Sequence, residues 1–390
     1  MIHRRRKIFS NQILYMFLVM LNNHCGYQEA VLDLNIRKLI DDNVSYQAIN
    51  NKVLSGKFSE QFNCLNNQII QKFFVGKKSR RVFGVDGSHT NLSRSNSKNG
   101  FRLNQNKKYS EGLLTLIFDV NNQIPFGYQL TQTTNERVAF SDLAMKINNS
   151  SVREKDLFIF DRGYFSSEMV KHVLSLNKDF LFRLPNNLNI VKQLEMSNSN
   201  DKLINSNGKS IRIIKYQTPL KFRIVKDDKG SKPFKLIKPQ SNYYLATTLI
   251  DQTANPIEAI KHLYHQRWST EECYKKIKSK FNSGTFHSVH LNGIECEIAV
   301  QQFSLIITRL FIGLMKNSNQ YQINSKISSN IIVDHILPML MFDNQKCSYL
   351  KNISDVIERL ENIKILVRPG RSYPRIKRFR SDKFLYKKPP

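Results

Sequence analysis

Arg81-Val-Phe-Gly-Val-Asp86 is a short apolar run that ends on a carboxylate, and Gly87-Ser88 follows it directly. Further along, Asp156-Leu-Phe-Ile-Phe-Asp161 repeats the arrangement, with Arg162-Gly163-Tyr164 turning the chain. Apolar runs of this length, bounded by turn residues, predict buried strands with an Asp at each strand end. Between them, residues 113–120 and 123–130 are strand-like and are joined at Asn121-Asn122, a good hairpin connection. Residues 136–147 and 166–176 read as helices, the second with Ser166 or Ser167 as cap and Glu168 in its first turn. Residues 179–184 form another strand. This order predicts an α/β fold, a mixed sheet with helices packed on it.

Outward from that core the pattern changes twice. Residues 1–80 carry apolar residues at three- and four-residue steps, which predicts a helical region with a possible role in DNA binding. Within it, the segment around Tyr46 to Gly56 fits either a helix-turn-helix or an ordinary helical bundle. Residues 81–184 make the first part of the core, and 185–241 a β-rich, strongly basic insertion. There, runs such as Ile211-Arg-Ile-Ile-Lys-Tyr216 predict a small antiparallel sheet with its charge outward. Residues 242–316 return to the core through a strand, a long helix opened by Pro256 and a very apolar helix. Residues 317–390 form a C-terminal helical region and a basic, aromatic-containing tail.

The 390 residues hold 60 Lys plus Arg against 31 Asp plus Glu, a net charge of +29. Such a surplus destabilises a compact chain unless an anionic partner neutralises it, and nucleic acid does so with release of counterions. Hydrophobic residues at 41% and aromatics at 11% exclude a wholly disordered chain or a fibrous rod. Five widely spaced cysteines (Cys25, Cys64, Cys273, Cys296 and Cys347) predict reduced thiols rather than a disulfide scaffold. Arg4-Arg5-Arg6-Lys7 before residues 13–21 mimics a signal peptide but lacks a cleavage site. No apolar run reaches the ~18 residues of a spanning helix, so the expectation is a soluble, intracellular protein with no membrane partner.

In an open sheet, ligands bind at the carboxyl ends of strands. Asp86 and Asp161 occupy that position, and Gly87 and Gly163 beside them suit close approach of a phosphodiester. Either Asp alone also fits a turn-former or a helix cap. The third piece is Tyr264-His-Gln-Arg-Trp-Ser-Thr-Glu271-Glu-Cys-Tyr-Lys-Lys-Ile-Lys278. At about 100° per residue, Tyr264, Arg267, Glu271 and Lys278 project within one narrow arc, whereas Glu272 lies well round the helix. Spacing alone better fits a solvated face held by an Arg267–Glu271 pair worth about 0.3–0.5 kcal/mol. His262, His265 and Cys273, with His287, His290 and Cys296, superficially resemble zinc ligand pairs, but no C-x2-C pair exists.

Tyr264-x2-Arg267-x3-Glu271-x6-Lys278, with Asp86 and Asp161 upstream in order, resembles the fourth-numbered family of bacterial insertion-sequence transposases. The resemblance covers roughly residues 81–316 and includes Trp268 and the β-rich insertion. It implies an RNase H-like DDE core with Asp86, Asp161 and Glu271 as catalytic metal ligands. It further implies two Mg²⁺ ions, for which Mn²⁺ can substitute, and phosphate contacts from Tyr264, Arg267, Lys278 and Arg162. The implied reaction cuts transposon ends and joins their 3′-hydroxyls to target DNA by two-metal phosphoryl transfer. The implied partners are the terminal inverted repeats, target DNA and a second copy of the chain, in the bacterial cytoplasm at the nucleoid. Family members that form hairpin ends stack a flipped base on an aromatic of the insertion, for which Tyr216, Phe222 and Phe234 are candidates here. The competing readings are an RNase H-like nuclease or resolvase without strand transfer, and an inactive, transposon-derived DNA-binding protein. A tyrosine recombinase is disfavoured because its Arg-His-Arg cluster before a C-terminal Tyr is not evident.

Overall fold

The computed structural model describes residues 9–40, 44–74, 80–148, 156–197, 199–206, 208–217, 221–225, 234–238, 242–280, 286–315, 321–323, 325–342, 346–362 and 364–366. The basic stretch Arg4–Lys7 and nearly all of the basic tail lie outside these residues.

Four helices open the chain: α1 (Ser10–Asn23), α2 (Tyr27–Ile36), α3 (Tyr46–Val53) and α4 (Lys57–Ile69). The apolar residues Ile13 to Leu21, which mimic a signal peptide, are buried along α1. The turn between α3 and α4 passes through Gly56 at φ +78°, a left-handed conformation that costs glycine little. Asn66 on α4 donates to the Ala299 carbonyl at 2.8 Å, and Asn292 donates to Leu54 O at 2.6 Å, so this pair packs as part of a bundle.

The core follows as β1 (Val82–Leu92), β2 (Arg102–Leu103), β3 (Ser110–Asp119), β4 (Ile124–Thr131), α5 (Glu136–Asn148), β5 (Leu157–Phe160), α6 (Ser167–Ser175) and β6 (Asp179–Arg183). The insertion contributes α7 (Asn189–Met196), β7 (Asp201–Ser206), β8 (Lys209–Gln217), β9 (Lys221–Val225) and β10 (Phe234–Lys238). Then come β11 (Asn242–Thr247), α8 (Ile257–Gln266), α9 (Trp268–Lys280), α10 (Leu291–Leu314), β12 (Tyr321–Ile323), α11 (Ser325–Ile331), α12 (Leu337–Phe342), α13 (Lys346–Glu361) and β13 (Lys364–Leu366).

Nine strands form one mixed sheet in the order β2-β3-β1-β5-β6-β11-β8-β7, with β4 also paired to β3. The β1, β5 and β6 neighbours are parallel and the remaining pairs antiparallel. Alternate residues of each strand feed two separate cores. Leu116, Leu157, Ile159, Leu181 and Leu245 pack with α1, α8, α9 and α10 on one face. Phe83, Val85, Phe158, Phe160 and Phe182 pack with α5, α6 and α7 on the other. The result is a mixed α/β sheet covered by helices on both faces.

Three details depart from the sequence-based expectation. β1 does not stop at Asp86: pairing with β3 carries it on to Leu92, so Gly87 and Ser88 are strand residues rather than a turn. The insertion is β-rich, but β7 and β8 extend the main sheet and only β9 and β10 stand apart as a pair. Arg212 on β8 is not outward but 1% exposed, because Asp201 binds its Nε at 2.8 Å and Nη2 at 2.6 Å while the Leu249 and Asn255 carbonyls accept from Nη1. Among the described residues, α10 alone is long and apolar enough to cross a membrane, and 72% of its apolar stretch is buried inside the molecule.

Candidate active site

Parallel pairing of β1 with β5 matches Val82 to Leu157, Phe83 to Phe158 and Gly84 to Ile159. Extended two residues past the paired stretch, this register sets Asp86 level with Asp161, which follows the last residue of β5. Adjacent strands are about 4.8 Å apart, and equal register in a parallel pair turns both side chains to one face. That face is the one α9 covers. The next step of the β5–β6 register sets Asp161 beside Arg183, whose Nη1 lies 3.9 Å from Asp161 Oδ1.

Helix α9 is seated by three buried contacts. Thr270 lies over Gly84, where any Cβ would collide with its hydroxyl. The buried Tyr274 hydroxyl reaches the carbonyls of Asp86 at 3.1 Å and Leu114 at 2.7 Å and donates to one or the other. Ile277 then fills the core one turn on. With this face fixed, Glu271 projects toward the strand ends. Glu272 turns outward, accepting from Trp268 Nε1 at 3.1 Å and from Lys275 Nζ at 2.5 Å.

The expected single helix is broken at Arg267, where i→i−3 bonds (Arg267 N–H to Tyr264 O, Thr270 N–H to Arg267 O) form a tight turn between α8 and α9. A uniform 100° step therefore does not carry from Tyr264 to Lys278. Tyr264 nevertheless reaches the site from α8, donating to Asp161 Oδ1 at 3.4 Å. Arg267 is buried and donates through Nη2 to Glu271 Oε1 at 2.7 Å. Lys278 is exposed toward the far end of α9, and Arg162 is exposed while its backbone N–H donates to Asp161 Oδ1 at 2.7 Å.

The electrostatics centre on one guanidinium. Burial pushes the Asp86 carboxyl up to about 6; Arg267 and the Gly87 N–H pull it down, and Glu136 and Glu271 push it up again. Burial opposes the charge of Arg267, but Tyr264, Asp161 and Glu271 outweigh it and raise the group above its usual range. The Arg267 guanidinium thus acts on Asp86, Asp161 and Glu271 alike, and Arg183 adds a second positive charge beside Asp161. As placed, no three His, Cys, Asp or Glu side chains among the described residues stand close enough to hold an ion. Of the residues that resemble zinc ligands, Cys273 and Cys296 are buried and His287 faces Glu297.

One of the two glycines expected to admit a phosphodiester is open and the other is not, and a row of side chains beyond them was not foreseen. Gly163 has open space around it, whereas the space over Gly87 is filled by Glu136. Beyond Asp161, Arg183 lies 4.3 Å over the Tyr243 ring, and Tyr243 stacks on Tyr216 at 5.7 Å. Cross-strand neighbours on β6, β11 and β8 make this row, and period-two alternation without register does not reveal it. Phe222 and Phe234 lie on β9 and β10, and their side chains fall outside the described residues.

A family model described as a transposase DDE domain matches residues 77–307, more than half of the chain. Among curated proteins, none matches the chain significantly. Among solved structures, the chain is similar to the piggyBac transposase synaptic complex with hairpin DNA. That likeness has 12% identity and a TM-score of 0.45, over 90% of this chain and 77% of that one. Members of the DDE group generally use divalent metal ions. The chain belongs to the transposase DDE domain family and is a DNA transposase, a metal-dependent enzyme that cuts and joins DNA.

Proposed function

We propose that Asp86, Asp161 and Glu271 are the catalytic carboxylates of this transposase and that they hold two Mg²⁺ ions, with Mn²⁺ able to substitute. One observation carries the reading. The β1–β5 register brings Asp86 and Asp161 together on one sheet face, with Arg267 and its partner Glu271 facing them from α9. The donor set fits hard divalent ions, which seek carboxylate oxygens. The raised Asp86 carboxyl fits too, since a buried carboxylate short of positive charge gains from a cation. Arg267 holds that place in the free chain as a stand-in charge. When bound, the ions supply activation of the attacking oxygen and stabilisation of the leaving oxygen in an in-line displacement at phosphorus.

The chain's own side chains bind and orient the DNA. Arg267, once parted from Glu271, offers paired donors to a phosphate, and Lys278 and Arg162 add charge from exposed positions. Tyr264 donates to a phosphate oxygen, and the open space at Gly163 admits the phosphodiester. Tyr216, stacked on Tyr243, is the candidate platform for an unpaired base. The substrates on this reading are the element's terminal inverted repeats and target DNA, met at the bacterial nucleoid. Two ends need two active sites, so the working form is a homodimer on DNA. The Tyr264–Lys278 spacing in the sequence supports assignment to the fourth-numbered insertion-sequence group.

The test is cleavage and strand transfer on the element's own terminal repeats with Mg²⁺. Asp86→Asn, Asp161→Asn and Glu271→Gln should each reduce cleavage by at least a thousandfold while DNA binding persists. Normal nicking by any of the three removes that residue from the catalytic set. Cleavage without end joining favours the nuclease reading.

A further inference from the structure

Glu136 lies inside this constellation although nothing above gives it a task. It is the first residue of α5, whose start is fixed by Asn135 Oδ1 accepting from the Arg137 N–H at 3.0 Å. Its side chain crosses β1 directly over Gly87. A Cβ there would stand 2.9 Å from Glu136 Cγ and 3.1 Å from Oε1, so a larger residue after Asp86 would displace this carboxylate. Arg137, next in the chain, donates through Nε to the Gly163 carbonyl at 3.0 Å. The first turn of α5 therefore holds both carboxylate-bearing strand ends, from the sheet face opposite α9.

A second, independent observation is Tyr164. It is 1% exposed, and its hydroxyl is buried with no hydrogen-bond partner among the described residues. Burial raises this phenol well above its usual range, and Glu136, Asp86 and Asp161 raise it further, so the hydroxyl faces the carboxylates. It lies close enough to Glu136 to favour that group's charged form without completing a bond. Buried donors are rarely left orphaned, and one aimed at several carboxylates marks a site that something else completes.

We propose that Glu136 is a fourth carboxylate of the cation site, positioned by Gly87 and Tyr164, that accepts hydrogen bonds from the hydration shell of an ion held by Asp86 and Asp161. The inference rests on the reading of Asp86 and Asp161 given above. Mg²⁺ sheds water reluctantly and takes few carboxylates directly, so acids one water away remain part of its site. Glu136 and Glu271 thus have separate tasks: Glu271 is tied to Arg267 on the α9 side, and Glu136 serves the same cation from the α5 side.

The test titrates the full-length chain with Mn²⁺ alone and follows the free ion by electron paramagnetic resonance, so no DNA or turnover enters. Loss of a partner one water removed weakens metal affinity about 10–100-fold. Glu136→Gln should weaken Mn²⁺ binding at least tenfold, Glu136→Asp should recover part of it, and Tyr164→Phe should weaken it in the same direction. Asp86→Asn should lose binding altogether. If Glu136→Gln binds like the wild type while Asp86→Asn does not, the role of Glu136 is overturned and that of Asp86 stands. If Asp86→Asn also binds like the wild type, the cation site fails and this inference with it. Should Glu136→Gln not fold, Tyr164→Phe decides: undiminished affinity overturns the proposal and weakened affinity supports it.

Discussion

Asp86 holds its proton up to about pH 6 in the folded chain, mainly because the strand end buries it. An unfolded aspartate releases its proton at ~3.9, so between these limits the folded state binds more protons. Asp86 therefore lowers stability progressively as pH rises from about 4 to about 6, and the full cost, on the order of 3 kcal/mol, remains above that window. Relative to the wild type, Asp86→Asn should gain stability of that order at pH 7.5 and gain nothing at pH 3.5, measured by denaturant unfolding without divalent ions. A stability gap that does not widen with pH contradicts the buried-carboxylate account. At this scale the site was largely legible, because a carboxylate ending an apolar run is unusual and its neighbours are small. Glu136 was not, since its only local mark is an acid in a helix first turn, a common stabilising choice. Its contact with Gly87 arises from packing between elements far apart in the chain.

Among elements, α9 matters most, because its angle on the sheet sets where Glu271 points. Gly84 permits that angle by leaving room for Thr270. Gly84→Ala should therefore cost about 1–3 kcal/mol, as overpacking does, and should cut cleavage at least tenfold by lifting α9 from β1. Thermal unfolding and a nicking assay check both effects; unchanged cleavage in a destabilised chain would show that α9 does not position the site. The apolar elements were readable because each buries a continuous run, as β5 and α10 do. The polar half of β1 was not, because Gly87 to Leu92 are held as strand by pairing with β3 rather than by their own pattern. The break at Arg267 likewise follows from docking Tyr264 and Thr270 on different neighbours, which periodicity along one helix does not encode. Arg212 reversed the expected outward charge because Asp201 and two carbonyls satisfy it inside.

For the whole molecule, the surplus of +29 charges dominates any encounter with DNA. A protein neutralising six to ten phosphates loses about 10³–10⁵ in affinity between 50 and 200 mM salt. Binding of this chain to duplex DNA should fall in that range, and a shallow salt dependence would mean that the surplus reflects composition rather than a binding face. On the proposed reading, the acids that cut such DNA share one face of the sheet: β1 carries Asp86, Asp161 follows the end of β5, and α9 brings Glu271 over them. The most direct test is anomalous scattering from Mn²⁺ in crystals of the chain bound to its cut transposon end. The account predicts a peak against the Asp86 and Asp161 carboxylates, with Glu271 released from Arg267. A peak elsewhere, or none while Arg267 still holds Glu271 in the DNA complex, would contradict it.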